Sequence, residues 1–198
     1  MSSATLEIEA IAIGGSAGGV EALITLLSAL PAPYVPAILV VVHVPPDKPS
    51  LLTPLLASSC RLPVREALDK ERIEPGTVYV APPDYHLLVE DERQLALSQD
   101  PPVAYSRPSI DVMFESAAAV FGPRLLGIVL SGANADGAAG LAAIRAAGGQ
   151  AWVQDPNEAA AAAMPTAAIK RAQPQLVLGI ADMAQRLAHL RSGRQVAI

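Results

Sequence analysis

Short segments made almost entirely of apolar residues constrain the fold of this chain more than any other feature. Each is followed by a stretch suited to a helix. A strand that is apolar along its whole length is buried on both faces, which is typical of a parallel sheet covered by helices. The sequence therefore predicts an α/β fold, a doubly wound three-layer sandwich with a mostly parallel sheet. The four predicted strands are Ile8–Ile13, Ala37–Val42, Leu125–Leu130 and Gln150–Val153.

The helices are predicted between these strands and at the end of the chain. Ser50 and Ser109 are expected to cap the second and third helices, and Gly122 to end the third. The alanine-rich segment 158–172 is predicted to form helical turns broken at Pro165. The five predicted helices are Val20–Ser28, Ser50 to about Ser58, Ile110–Phe121, Gly137–Ala147 and about Ala181–Leu190.

The middle of the chain has a different pattern. Three short apolar runs read TVYVAP, YHLLVE and QLALSQ, and they are separated by PPD and DER. Short runs bounded by turn residues favour hairpins. We therefore expect β-hairpins near an edge of the sheet.

Length and composition favour one folded domain in the cytoplasm. The chain has 198 residues, 52% of them apolar, which is enough for a core of its own. A single cysteine, Cys60, cannot form an internal disulfide and fits a reducing compartment. The longest apolar stretch, before His43, is too short to cross a bilayer, and the first ten residues lack the features of a secretory signal.

Charge and histidine spacing narrow the possible ligands. The net charge of −5 gives no support for a nucleic-acid partner. The three histidines, His43, His86 and His189, are scattered, and no Cys/His cluster has the spacing of metal ligands. We therefore predict neither a metal site nor an organic cofactor.

Three polar side chains follow predicted strands at the same edge of the sheet. They are Ser16, His43 and Asp136. Right-handed crossovers place the carboxyl ends of parallel strands on one edge, where such folds bind their ligands. The sheet can therefore bring these residues together although they lie far apart in the sequence.

A hydroxyl, an imidazole and a carboxylate are the groups needed for acyl transfer. The imidazole takes the proton of the hydroxyl, and the carboxylate orients and stabilises the imidazolium. Residues 14–18, GGSAG, also fit G-x-S-x-G, a turn that exposes a nucleophilic serine. Free N–H groups at the following helix start can hold an oxyanion. The order Ser, His, Asp is not that of α/β-hydrolases, so we expect another fold with the same chemistry.

Other interpretations of these residues remain open. The glycine-rich turn could cradle a phosphate, but Ser16 stands where a dinucleotide fingerprint has its second glycine, and the second strand ends in His43 rather than an acid. Asp136 could simply cap a helix. Asp155, which follows the last predicted strand, is the competing acid.

Several residues are secondary candidates at the cleft. Arg107, Ser109 and Asp111 lie beside a helix start, where capping and local hydrogen bonding are the simpler interpretation. Tyr85 and His86 fit a hairpin tip better than the rim of a site. None of these is assigned a catalytic role from the sequence.

The motifs together resemble one protein family. The blocks IGGSAGGVEAL, VVVHVPP, EPGTVYVAPPDYHLLV, SRPSIDVMFESAA, GIVLSGANADGAAGL and VQDPNEAAAAAMPTAAI occur in the order found in the catalytic domain of CheB-type chemotaxis protein-glutamate methylesterases. The resemblance runs from about Ile11 to Leu190.

The resemblance implies a fold, an activity and a partner. The fold is a doubly wound, mostly parallel sheet with a β-hairpin at one edge. The activity is hydrolysis of glutamate γ-methyl esters on the cytoplasmic domain of chemoreceptors, with glutamine deamidation in some members. By position, the family's catalytic residues fall on Ser16, His43 and Asp136.

Two of the departures from the family pattern bear on what the chain does. The segment SGANADG places Ala133 and Asn134 where Met and Gly are usual, which motivates an alternative function as a catalytically weakened domain that binds a signalling partner. The family's phospho-receiver domain has no counterpart before Ile11. We therefore expect a single methylesterase-like catalytic domain over residues 1–198, with a separate regulatory partner as one means of control.

Overall fold

Seven parallel strands form the central sheet. The computed structural model describes residues 7–43, 51–90 and 93–190. The strand order is β3-β4-β2-β1-β7-β8-β9, and β5 and β6 form a separate antiparallel hairpin. The strands in chain order are β1 (Ala10–Gly15), β2 (Ala37–Val42), β3 (Val64–Glu66), β4 (Val78–Val80), β5 (His86–Glu90), β6 (Gln94–Ser98), β7 (Leu125–Val129), β8 (Gln150–Gln154) and β9 (Leu176–Leu178).

Helices cover both faces of this sheet. Helices α1, α2 and α6 pack on one face, and α3, α4 and α5 pack on the other. The hairpin lies against α3 on that second face. The helices are α1 (Gly19–Ser28), α2 (Leu52–Ser59), α3 (Ile110–Phe121), α4 (Ala138–Ala146), α5 (Ala163–Ala172) and α6 (Ile180–His189), and a 3₁₀ turn (Gly122–Arg124) follows α3.

The central strands are buried because each of their faces meets a helical layer. Successive side chains of a strand point to opposite faces. Ile11 and Ile13 of β1 therefore join the cluster under α1 and α6, while Ala10 and Ala12 join the cluster under α3. All of β1 and β2 is buried, which is why these strands read as continuous apolar runs.

The predicted fold class is confirmed, and the prediction of hairpins in the middle of the chain needs one correction. The second and third apolar runs of the middle region form the hairpin β5–β6 as expected. The first run, TVYVAP, does not belong to a hairpin. Its residues Val78–Val80 form β4, which pairs in parallel with β2 and β3 inside the main sheet.

The predicted break at Pro165 is wrong. Pro165 is the third residue of α5, which continues to Ala172. The first N–H groups of a helix have no partner inside it, so proline costs no hydrogen bond there. The predicted cap Ser50 lies outside the described residues.

No helix in the described residues combines the length and the apolar character needed to cross a bilayer.

Candidate active site

The carboxyl ends of the three central strands carry the predicted site residues. Strand β1 lies between β2 and β7, and the register pairs Gly15 with Val42. Ser16 and His43 are the next residues along these two neighbouring strands. The backbone N–H of His43 still donates to the carbonyl of Gly15, at 3.1 Å. The ladder geometry thus places Ser16 beside His43 at the point where the chain order reverses, where such folds bind ligands.

The turn that carries Ser16 depends on its glycines. A Cβ on Gly14 would lie 2.3 Å from Cγ2 of Ile110, so only glycine lets α3 approach β1 this closely. Gly18 has φ +76°, a left-handed conformation that glycine adopts without strain. The N–H of Ser16 donates to the carbonyl of Ser131 (2.9 Å), and the N–H of Gly19 donates to the carbonyl of Ser16 (2.8 Å). The serine is therefore held half-buried immediately before α1.

His43 and Asp136 are in direct contact. Nε2 of His43 lies 2.8 Å from Oδ2 of Asp136. The carboxylate is completely buried, whereas 14% of the histidine side chain is exposed. These are the two residues predicted as base and acid. His43 is partly exposed at the surface, and Asp136 is not.

The Asp136 carboxylate accepts hydrogen bonds on both oxygens. Oδ2 accepts from the N–H of Ile110 (2.7 Å) as well as from His43. Oδ1 accepts from the hydroxyl of Ser109 (2.9 Å) and from the N–H groups of Asp111 (3.0 Å) and Gly137 (3.0 Å). Two of these donors are the first N–H groups of α3, so Asp136 caps that helix from a different loop.

These contacts fix the charge of the acid. Burial raises the pKa of Asp136, but the hydrogen bonds from His43, from the Asp111 and Ile110 backbone and from Ser109 outweigh it, so the pKa lies below its ordinary value. The neighbouring Asp111 shows the opposite direction: burial raises its pKa, with the charge of Asp136 adding to the effect and a hydrogen bond from Gly140 opposing it. Asp136 is therefore an ionised acceptor at neutral pH.

The contact between His43 and Asp136 also determines which ring nitrogen of His43 can accept a proton. Because Asp136 is ionised, Nε2 must carry the proton that joins them. The other nitrogen, Nδ1, is then the acceptor in the neutral ring. A proton released by Ser16 would have to be taken up by Nδ1.

Ser131 links three loops around Ser16. Its hydroxyl donates to the carbonyl of Ala17 at 2.6 Å and accepts from the N–H of Ala161 at 2.9 Å. Its own N–H donates to Oε1 of the buried Gln154. Ser131 is itself fully buried, so it holds the serine turn against the loop that precedes α5.

A cavity of about 220 Å³ opens beside His43. Its wall includes Asp84 and Arg107, which are joined by hydrogen bonds from Nε (3.0 Å) and Nη2 (2.6 Å) of the arginine. Tyr105, also in the wall, is fully exposed. The cavity therefore combines a charged pair with an exposed aromatic ring next to the base.

Two secondary candidates differ from their predicted roles. Ser109 stands at the N-cap position of α3 but makes no side-chain cap; its hydroxyl donates to Asp136 instead. His86 is not at an exposed hairpin tip: it is 1% exposed, and its Nδ1 accepts the N–H of Ser109. It thus supports the loop that holds the acid.

Asp155, the competing acid, is engaged elsewhere. Its Oδ1 accepts hydrogen bonds from both the N–H and the side-chain Nδ2 of Asn157, each at 2.9 Å. These contacts lie within its own turn. Asp136, not Asp155, is the carboxylate bonded to His43.

Asn134 was noticed in the sequence only as a departure from the family pattern. In the structure its side-chain amide contacts both Asp136 and His43. Oδ1 accepts a hydrogen bond from the N–H of Asp136 (3.1 Å), and Nδ2 lies 3.4 Å from Nδ1 of His43. An asparagine two residues before an aspartate is an ordinary turn signal. Nothing in the sequence indicates that its side chain reaches the base.

The fold and the site define a doubly wound α/β protein with a His–Asp pair at the switch point of its sheet, the aspartate buried and the histidine partly exposed. The family model for CheB methylesterase matches residues 11–187. The chain belongs to the CheB methylesterase family. The resemblance inferred from the sequence motifs is thereby confirmed.

Curated relatives agree with this assignment. A Leptospira interrogans protein, provisionally named a protein-glutamate methylesterase/protein-glutamine glutaminase, is 42% identical over 93% of this chain and 96% of its own length. The protein-glutamate methylesterase/protein-glutamine glutaminase 1 of Anaeromyxobacter dehalogenans is 42% identical over 89% of this chain. The chain covers 51% of that second protein, about half its length.

A solved structure has the same fold. The crystal structure of the Thermotoga maritima CheB methylesterase catalytic domain superposes with a TM-score of 0.88 at 28% sequence identity. The match covers 93% of this chain and 99% of that domain.

Proposed function

We propose that this chain hydrolyses glutamate γ-methyl esters on the cytoplasmic domain of chemoreceptors, with Ser16 as nucleophile, His43 as general acid and base, and Asp136 as the orienting acid. The observation that carries the proposal is the 2.8 Å bond between His43 Nε2 and Asp136 Oδ2, at the strand end next to Ser16. Family membership and the names of the relatives support the ester as substrate.

The first half of the reaction forms an acyl-enzyme. The Ser16 oxygen attacks the ester carbonyl while its proton passes to Nδ1 of His43, and the ionised Asp136 stabilises the resulting imidazolium. The N–H of Gly19 is bonded to the carbonyl of Ser16, but the next N–H groups at the start of α1 have no partner within the helix and can stabilise the oxyanion. The C–O bond to the methoxy group then breaks, and Nδ1 returns its proton so that methanol leaves.

The second half regenerates the serine. Water attacks the acyl carbonyl, giving its proton to Nδ1, and the Ser16 oxygen leaves with that proton. The products are a glutamate carboxylate and free enzyme. A glutamine side chain would follow the same path with ammonia as the first leaving group, which is the basis for proposing deamidation as a second activity.

The cavity beside His43 is the proposed docking place for the receptor segment that carries the ester. Tyr105 is fully exposed there, and the adjoining Arg107 is held by Asp84. We place this activity in a single domain over residues 1–198, located in the cytoplasm and responsive to a separate regulatory partner.

The experiment is an assay of methanol release from methylated receptor. The wild-type chain should release methanol, and Ser16→Ala should reduce the rate at least about 1,000-fold because the nucleophile is lost. Ser28→Ala is the matched control: Ser28 is an exposed serine at the other end of α1, and its loss should leave the rate unchanged. Full activity of Ser16→Ala would overturn the proposal.

A second candidate function is a weakened domain that binds a signalling partner through the same cleft. The contact of Asn134 with the acceptor nitrogen of His43 favours it. A fluorophosphonate probe separates the two functions, because it labels only a serine activated by its base. Rapid labelling of Ser16, lost in His43→Ala, supports the enzyme; a chain that resists the probe yet binds its partner supports the alternative.

A further inference from the structure

The side chain of Asn134 connects the acid and the base of the site. Its Oδ1 accepts the backbone N–H of Asp136 at 3.1 Å, and its Nδ2 lies 3.4 Å from Nδ1 of His43. The residue is half-buried, between the exposed Ala133 and Ala135. One amide therefore touches both members of the His–Asp pair.

The orientation of this amide follows from its partners. The N–H of Asp136 can only donate, so the amide oxygen must face it and the NH₂ group must face His43. Since Nε2 of His43 carries the proton shared with Asp136, Nδ1 is an acceptor. A donor on Asn134 thus meets the unprotonated nitrogen of the base.

We infer that Asn134 is a positioning residue that occupies Nδ1 of His43 in the resting site and competes there with the hydroxyl of Ser16. This inference rests on the proposed function, because it concerns the nitrogen that takes up the serine proton. At 3.4 Å the contact exceeds the usual hydrogen-bond distance of about 2.7–3.2 Å. A weak contact of this kind moderates the base without blocking it.

The contact also has a consequence for pH. A proton on Nδ1 turns the acceptor into a donor, and the bond from Asn134 is then lost. The contact with Asn134 is therefore made only while Nδ1 is unprotonated, which is the form of the ring that can take up the serine proton. The charged and titratable groups facing the ring in the described residues are Asp136 at Nε2 and, along the cavity, Asp84, Arg107 and Tyr105.

Two substitutions at this position separate the donor from the acceptor. Asn134→Gly removes both. Asn134→Asp keeps an oxygen for the N–H of Asp136 and loses the donor to His43, so it preserves the loop should glycine loosen it. Asn157→Gly is the matched control, because Asn157 is the other asparagine of the chain and bonds only within its own turn.

The test combines ¹⁵N NMR of the His43 ring, recorded without substrate, with the rate of fluorophosphonate labelling of Ser16 as a function of pH. In Asn134→Gly the Nδ1 resonance should shift from its wild-type position, because the amide donor at that nitrogen is replaced by the hydroxyl of Ser16 or by water. Labelling should become about 2- to 10-fold faster on the pH plateau. In Asn134→Asp the Nδ1 resonance should also change, because a carboxylate in that place has no donor for Nδ1.

The outcomes distinguish this inference from the proposed function. If the Nδ1 resonance and the plateau rate of labelling are the same in Asn134→Gly as in the wild type and in Asn157→Gly, the positioning role is overturned. If Nδ1 responds to Asn134→Gly but the wild-type Ser16 is never labelled, the contact stands and the proposed hydrolysis fails.

Discussion

The replacement Asp136→Asn tests how far one carboxylate organises the site. Asp136 is fully buried and accepts five hydrogen bonds. An amide has one acceptor oxygen, so its NH₂ group must face donors whichever way it is turned. With the NH₂ at the Oδ2 position it meets the N–H of Ile110; with the NH₂ at the Oδ1 position it meets those of Asp111 and Gly137.

The magnitude follows from these unpaired donors. A buried N–H without a partner costs about 1–3 kcal/mol, and loss of a negative charge at the start of α3 costs about another 0.3–2 kcal/mol. Asp136→Asn should therefore lower the free energy of unfolding by about 2–5 kcal/mol at pH 7, measured by urea denaturation. Asp182→Asn is the control, since Asp182 is an exposed acid in the first turn of α6 and should cost about 1 kcal/mol at most.

The difference in free energy of unfolding between the wild type and Asp136→Asn should depend on pH in a defined direction. The pKa of Asp136 is lowered in the folded chain, so its stabilising contribution is present above the unfolded value of about 3.9 and is lost as pH falls through the folded value. The gap between the wild type and Asp136→Asn should thus be full at pH 7 and shrink below about pH 4. Equal stability of the two proteins at pH 7, or a gap that widens in acid, would refute the reasoning.

Two further substitutions test the framework around the site. Ser131→Ala should lower the free energy of unfolding by about 1–3 kcal/mol and slow the labelling of Ser16. The reason is that the N–H of Ala161 and the carbonyl of Ala17 lose the buried hydroxyl that joins them. An unchanged labelling rate would show that the turn carrying Ser16 keeps its conformation without this hydroxyl. Gly140→Ala should cost about 1–3 kcal/mol or more by thermal or urea unfolding, because its Cβ would lie 2.5 Å from Cβ of Phe114; a neutral effect would show that α3 and α4 can separate at little cost.

The sequence was sufficient for the central part of the fold. Strands β1, β2 and β7 are buried on both faces, so their apolar runs are unbroken and easily recognised. Ser16 and His43 directly follow β1 and β2, Asp136 lies in the loop after β7, and parallel pairing brings the ends of these strands to one edge. The contact between His43 and Asp136 was therefore predictable, because strong local patterns fixed the positions of the strands that precede them.

The parts that were missed depend on partners distant in sequence or on very short elements. Strands β3 and β9 have three residues each and are only partly buried, so they lack a readable pattern. The sequence around β4 has the pattern of a hairpin strand, and only its parallel pairing with β2 shows that it belongs to the main sheet. The cap of α3 by Asp136 and the contact of Asn134 with His43 arise from side chains of a separate loop, which no local pattern encodes.

The mass of the Ser16 adduct formed with a fluorophosphonate probe tests the central claim most directly. If His43 activates Ser16, the wild-type chain gains one covalent phosphonyl group on that serine, and His43→Ala slows the modification by about 100-fold or more. Equal labelling of the two proteins, or labelling spread over other serines, would contradict the claim that this serine and this histidine act together.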